Sequence, residues 1–184
     1  LRGMPKRYST VYIDGVKMSD PSSVSNDFDF NNILTSQVSR VEILKGNQSS
    51  VYGSGAIGGT LHIFTKKGEE GFHKDINYIA GSHNTHNLSA SLSGGDENKK
   101  YYIGFQRFQT DGISQMTHND EKDRYRNNSL VANYAHKFSD KIKFKSNLRV
   151  AETYTQHDKE VDTSTADHSE ELDALQSSAN ISLV

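Results

Sequence analysis

The chain has 184 residues, enough for one or two ordinary domains, with 33% hydrophobic residues, a net charge of −2 and no cysteine. The lack of cysteine excludes disulfides and thiolate metal sites, and the small net charge offers no electrostatic argument for a nucleic-acid partner. No apolar run approaches the ~18 residues of a membrane-spanning helix, yet the mean hydropathy of −0.73 is poor for a soluble core.

In chain order, Val11 to Ile13 reads as a short strand and Asp14-Gly15 as a hairpin turn. Residues 20–27 form a polar loop of turn formers. Asn31 to Ser36 is expected to be a short helix, with Phe30, Ile33 and Leu34 on one side. Val38 to Leu44 and Leu61 to Phe64 are β-prone apolar runs. The link between them holds Gly46, Gly53, Gly55, Gly58 and Gly59, which implies positive φ angles or close backbone approach. Gly53 to Gly58 fits the dinucleotide pattern G-x-G-x-x-G, but that motif needs a helix behind it. Here a β-branched, aromatic run follows Gly59, so no helix terminus is offered to a phosphate. Arg40 and Glu42, two apart, share one face of their strand.

From about residue 72 the pattern becomes strict alternation. Leu88, Ala90 and Leu92 alternate with Asn87, Ser89 and Ser91; Tyr101, Ile103 and Phe105 alternate with Tyr102, Gly104 and Gln106. Lys141, Lys143, Lys145 and Arg149 share the polar face of a later strand, and Ile181 and Leu183 continue the pattern near the end. Six strands are expected, at about 73–81, 86–94, 99–110, 125–138, 141–155 and 172–184. The links at 94–98 and 138–141 are short, whereas 110–124 and 156–171 are long and polar.

Several pieces in order resemble the plug domain of TonB-dependent outer-membrane receptors. They are Arg2-Gly3, Asp14-Gly15 within Val11 to Val16, Arg40-Val41-Glu42-Ile43-Leu44-Lys45-Gly46, and Tyr52-Gly53-Ser54-Gly55-Ala56-Ile57-Gly58-Gly59. Asn47 stands where the family usually carries proline, which leaves the turn geometry open. The resemblance implies a mainly β fold. The C-terminal half of a plug (1–68) would be followed by the first six or so antiparallel strands of a transmembrane barrel (69–184). It also implies an internal fragment, because the chain opens within a plug motif and closes within a strand. A barrel accounts for the low hydropathy, since half of each strand faces a polar lumen.

By the same resemblance, the 110–124 and 156–171 loops point outward, the short links face the periplasm, and 81–85 is a short exception on the outer side. Tyr101, Tyr125, Tyr134, Phe138 and Tyr154 would form aromatic girdles. The 20–30 region would be a ligand-side apex, with Asp20, Ser22, Ser23, Ser25, Asn26 and Asp27 as ligand contacts. Arg40 and Glu42 would pair with the barrel wall, an ion pair within the plug being the plainer alternative. The expected activity is active uptake of a cobalamin or iron chelate across the outer membrane of a Gram-negative bacterium. The partners would be the TonB energy-coupling complex, outer-membrane lipid and the nutrient. A non-transporting surface-binding barrel and a soluble β-sandwich enzyme are the other classes.

Phe108 to Ser114 resembles the vitamin B12 branch, whose loops bind calcium. Asp111, Asp120, Asp123, Asp158 and Asp162 are the candidate oxygen ligands. His83 and His86 lack a visible third metal ligand. Lys141, Lys143, Lys145 and Arg149, facing a lumen, would attract anions. No catalytic constellation stands out, and no enzyme is expected.

Overall fold

The structure is a computed structural model that describes residues 5–19, 28–113, 122–158 and 169–184. The described chain forms two sheets. The first contains β1 (Ser9–Ile13), β2 (Val16–Met18), β3 (Val38–Lys45) and β4 (Gly59–Thr65), in the order β2-β1-β4-β3. The hairpin expected at Asp14-Gly15 is present, with φ of 47° and 85° at the two turn residues, as a two-residue loop requires. β4 runs parallel to β1 and antiparallel to β3. Alternation along β1 drives Val11 and Ile13 into a core with Met18, Phe28 and Ile63, and Val16, Ile33, Val38 and Leu61 pack against it. On the other face Tyr12 stacks on His62 at 5.0 Å and meets Tyr52 at 5.3 Å.

The link between β3 and β4 contains α1 (Ser49–Tyr52) and a 3-10 turn at Ser54–Ala56. Asn47, the departure from the family pattern, starts this turn: its side-chain oxygen accepts from the Ser49 amide at 2.9 Å. β4 follows Gly58 directly, so the dinucleotide motif lacks its helix.

The helix expected over Asn31 to Ser36 does not form. Two 3-10 turns, Phe30–Asn32 and Thr35–Gln37, flank extended Ile33 and Leu34. The expected apolar side is half-buried or exposed, whereas Asn32 and Gln37 are buried. The backbone here is turned to present polar groups to the second sheet, and that overrides the helical spacing.

The second sheet is an antiparallel meander of six strands. They are β5 (Gly71–Gly81), β6 (Thr85–Gly95), β7 (Lys99–Thr110), β8 (Tyr125–Ser139), β9 (Ile142–Asp158) and β10 (Ser169–Leu183). All six expected strands are present. β9 and β10 run longer than expected at their facing ends, to Asp158 and from Ser169. The alternation is inverted relative to a soluble sheet. Tyr102, Gln106, Asn127, Ser129, Val131, Asn133, Arg149 and Thr153 are buried against the first sheet. Leu88, Ile103, Phe105, Leu130, Tyr134 and Leu148 lie exposed on the opposite face. Apolar outside and polar inside is the pattern of a wall between lipid and lumen.

The turns separate two ends. The 82–84 turn lies at one, with the ends of β7 and β9 and the starts of β8 and β10; the 96–98 and 140–141 turns lie at the other. Asp96 caps the 96–98 turn, accepting from the Asn98 and Lys99 amides at 2.7 and 2.8 Å, which holds its carboxyl below the usual carboxylate range. Of the expected girdle residues, Tyr125 is a correction. It shares the lumen face with Asn127 and bonds to the first sheet, because its parity on β8 is that of the inward residues. Between the sheets the chain passes Gly68, where a Cβ would overlap the Tyr101 backbone and come within 2.8 Å of the Gly94 carbonyl.

Candidate functional site

The two sheets meet along a seam of hydrogen bonds. Gln37, in the 3-10 turn that leads into β3, donates to the Gly104 and Ser129 carbonyls, both at 3.0 Å, and accepts from Ser129 Oγ at 2.8 Å. Ser36 donates to Gln106. The Asn32 side chain accepts from Thr153 at 2.5 Å, and its carbonyl accepts from Arg149. Tyr125 donates to the Asn31 carbonyl, and Asn127 does so at 3.2 Å. Lower on the wall, Asn133 donates to Thr65 Oγ1 at 2.7 Å and to the Lys66 carbonyl at 2.6 Å. Thr65 donates onward to Asp14 at 2.5 Å, so the hairpin residue Asp14 is tied through one hydroxyl to the wall.

The apolar core belongs to the first sheet alone. The seam is polar, and every group on it is neutral except Arg149. That arginine is buried at 5% exposure and divides its donors between Asn32 and Gln176. Lys141, Lys143 and Lys145 are exposed, so Arg149 is separated in role from the lysines that share its strand face. Arg40 and Glu42 do not reach the described wall strands. They pair with each other at 2.7 Å, both exposed, with Arg40 also lying 3.8 Å over the Phe64 ring. A two-residue separation on one strand face brings them together more cheaply than a reach across the lumen.

Above the seam, at the end that carries the long loops, lies a cavity of about 400 Å³. Phe30, Ile33, Phe108 and Tyr125 line it together with the amides of Asn31, Asn87 and Gln106. Among the described residues no charged side chain lines it. Asp20, Ser22, Ser23, Ser25, Asn26 and Asp27 lie outside the described residues, as do Arg2, Gly3, Asp120 and Asp162. The chain that follows them, from Phe28, is at this same end.

Among the calcium candidates, Asp111 and Asp123 stand at the neck of the 111–124 loop. Asp111 accepts from Lys122 at 3.1 Å. This bond, with a weaker one from Asn84, holds its carboxyl below the usual carboxylate range. Asp123 Oδ2 is buried without a partner among the described residues. The backbone of Asp158 ends β9. Among the described residues no three His, Asp or Glu side chains converge as a metal site. His86 is engaged by Tyr78 at 2.6 Å and Asn84 at 2.9 Å, and His83 sits in the 82–84 turn with φ of 55°.

The TonB-dependent receptor plug domain family matches residues 1–60. The vitamin B12 transporter BtuB of Photobacterium profundum is 30% identical over 135 residues, covering 72% of this chain and 22% of that protein. Among solved structures, the ferric enterobactin receptor of Pseudomonas aeruginosa, a mutant in complex with enterobactin, is 20% identical with a TM-score of 0.66. It covers 84% of this chain and 26% of that one. The siderophore receptor PirA of Acinetobacter baumannii is 17% identical with a TM-score of 0.69, covering 84% and 25%. The chain thus spans about a quarter of the length of these relatives. The structural likenesses establish the shared fold, a plug sheet against opening barrel strands. The plug domain family of TonB-dependent receptors is thus matched in sequence over residues 1–60, and the wall shares its fold with the solved receptors.

Proposed function

We propose that this chain is the later part of a plug, ending near residue 68, and the opening strands of an outer-membrane receptor. The whole receptor would bind a scarce nutrient at its outer face and pass it inward when the TonB complex pulls on the plug. The observation that supports this is the polar seam. A plug packed on apolar surface would lose ~25 cal/mol for each Å² exposed on moving. A net hydrogen bond contributes only ~0.5–1.5 kcal/mol, because water replaces the lost partner. Such a seam holds the plug at rest and lets it be drawn away. Binding and release of this kind need no catalytic residue.

The nutrient in this reading is of the cobalamin type. The cavity at the loop end is aromatic and amide-lined, which suits a neutral, amide-rich corrinoid better than an anionic iron chelate. The 30% identity to a vitamin B12 transporter favours the same class. Calcium in the acidic loops belongs to this reading: Asp111, Asp120, Asp123, Asp158 and Asp162 would supply hard oxygen ligands, and chelation would weaken cobalamin binding.

The test is uptake of radiolabelled cobalamin, and separately of ferric enterobactin, by cells carrying the full-length receptor, with and without an uncoupler and a calcium chelator. Cobalamin accumulation abolished by the uncoupler is the expected result. Cobalamin held at the surface without accumulation would give a non-transporting surface-binding barrel instead. Uptake of the iron chelate alone would overturn the substrate class.

A further inference from the structure

The transport reading leaves the lysines of β9 unused, and they are not alone on the lumen wall. One row of the wall runs Gly95, Lys100, Ala135, Lys145 and Ser182, each paired in register with the next. The neighbouring inward row holds buried Tyr102 and Asn133, so these lysines face the lumen. Ala135 is small and leaves a gap between Lys100 and Lys145. Lys67 reaches that gap from the link between the sheets: Lys67, Gly68, Lys100, Asn133, Lys145 and Asn147 border a cavity of about 100 Å³. A second cavity, of about 170 Å³, shares Lys100, Ala135 and Lys145 and adds Lys143 from the next row. Both lie toward the end of the wall with the 96–98 and 140–141 turns.

The backbone around the gap is fixed. β7, β8 and β9 are paired through it. The link is fastened on both sides of Lys67: Asn133 donates to the Lys66 carbonyl at 2.6 Å, and a Cβ on Gly68 would overlap the Tyr101 backbone. The neighbouring acids do not neutralise the lysines. Asp140 takes Lys137 at 2.6 Å, and Asp96 accepts from amides of its own turn. Glu97 borders the second cavity, and Glu69 and Glu70 follow Gly68 in the link. Among the described residues none of these acids ion-pairs with Lys67, Lys100, Lys143 or Lys145.

Four ammonium groups around a small gap call for a compact anion. Among the described residues no arginine lines either cavity, so the planar fork that suits a carboxylate is absent. Lysine serves phosphate as a point charge. Facing the lumen, the gap is turned away from the bilayer, which excludes a lipid headgroup. Cobalamin, neutral as a whole, carries one anionic phosphodiester. We propose that Lys67, Lys100, Lys143 and Lys145 bind a phosphate ester, and that they serve as an exit subsite for the phosphodiester of the nutrient. The identity of the cargo, though not the anion site, rests on the cobalamin reading above.

Energised cells carrying the full-length receptor, or its Lys100→Gln/Lys145→Gln variant, are given radiolabelled cobalamin or cobinamide, the same corrin without the phosphodiester. The ratio of cobalamin to cobinamide uptake should fall at least about fivefold in the variant. An unchanged ratio, including an equal loss of both, overturns the exit subsite. A second arm needs neither the nutrient nor a variant. The purified full-length receptor in detergent is acetylated with inorganic phosphate or with chloride at matched ionic strength, and mass spectrometry follows Lys100 and Lys145 against Lys99 on the opposite face. Phosphate should slow acetylation of the two lumen lysines about threefold or more relative to Lys99; equal rates overturn the anion site. Protection by phosphate with an unchanged uptake ratio gives a site for a free anion and not for the cargo. Entry of neither corrinoid into wild-type cells refutes the cobalamin reading, and the acetylation rates then judge the anion site by themselves.

Discussion

Two glycines of the plug motif differ in what they demand. Gly59 takes φ of 134°, a conformation that L side chains rarely adopt, as it enters β4. Gly55 has an ordinary φ, and a Cβ there would meet Thr10 Oγ1 at 3.2 Å. Gly59→Ala is expected to cost about 1–3 kcal/mol through backbone strain. Gly55→Ala should cost less than about 1 kcal/mol, because the hydroxyl has only to move slightly. Denaturant unfolding of the two full-length variants compares them; an equal loss would show that crowding, not φ, governs the link. Asp111 offers a second test at this scale. Its folded carboxyl is depressed by Lys122, so its contribution is present above the ordinary carboxylate pKa and is lost as pH falls through the lowered value. Hydrogen exchange at the neck of the 111–124 loop should rise on acidification below about pH 4. Lys122→Ala should show the faster exchange already at neutral pH. Identical acid responses in the two proteins would dissociate the ion pair from the loop.

The meander fixes which connections share an end. Ile113 lies with the long loops and is 65% exposed, while the Asp140 side chain in the opposite turn is 92% exposed. In the full receptor, Ile113→Cys should be labelled on intact cells by an impermeant thiol reagent and Asp140→Cys only after permeabilisation. The reverse pattern would invert the barrel. Much of this architecture is legible in the alternation, because lipid and lumen impose opposite polarity on the two faces of every strand. The same parity also shows why Tyr125 is no girdle residue: it falls in step with Asn127 and Ser129, not with Leu130. The seam is harder to see in advance. Asn32, Gln37 and Asn133 look like ordinary solvated positions, and only partners 67 to 121 residues away explain their burial. Helical spacing at Phe30, Ile33 and Leu34 misleads for the same reason, since local periodicity carries no information about a distant wall.

At the scale of the whole molecule, the plug and wall have separate cohesion: an apolar core within one sheet, and hydrogen bonds between the two, one of them from the charged Arg149. Asn32→Cys and Thr153→Cys, joined by a short bismaleimide, would convert one of those bonds into a covalent tie. Ligand binding is expected to persist while uptake falls to the level of an uncoupled cell; unimpaired uptake would mean that this part of the plug does not have to leave the wall. The span of the seam also bears on how the molecule is made. The β8–β9 turn closes over Asp140 and Lys141, whereas Asn32 must find Thr153 across 121 intervening steps of chain. Closing short loops is entropically cheap and long-range pairing is slow. The hairpins are therefore expected to assemble first, leaving their amide-rich face wet. During biogenesis the inserted strands then act as the template on which the plug is laid down afterwards.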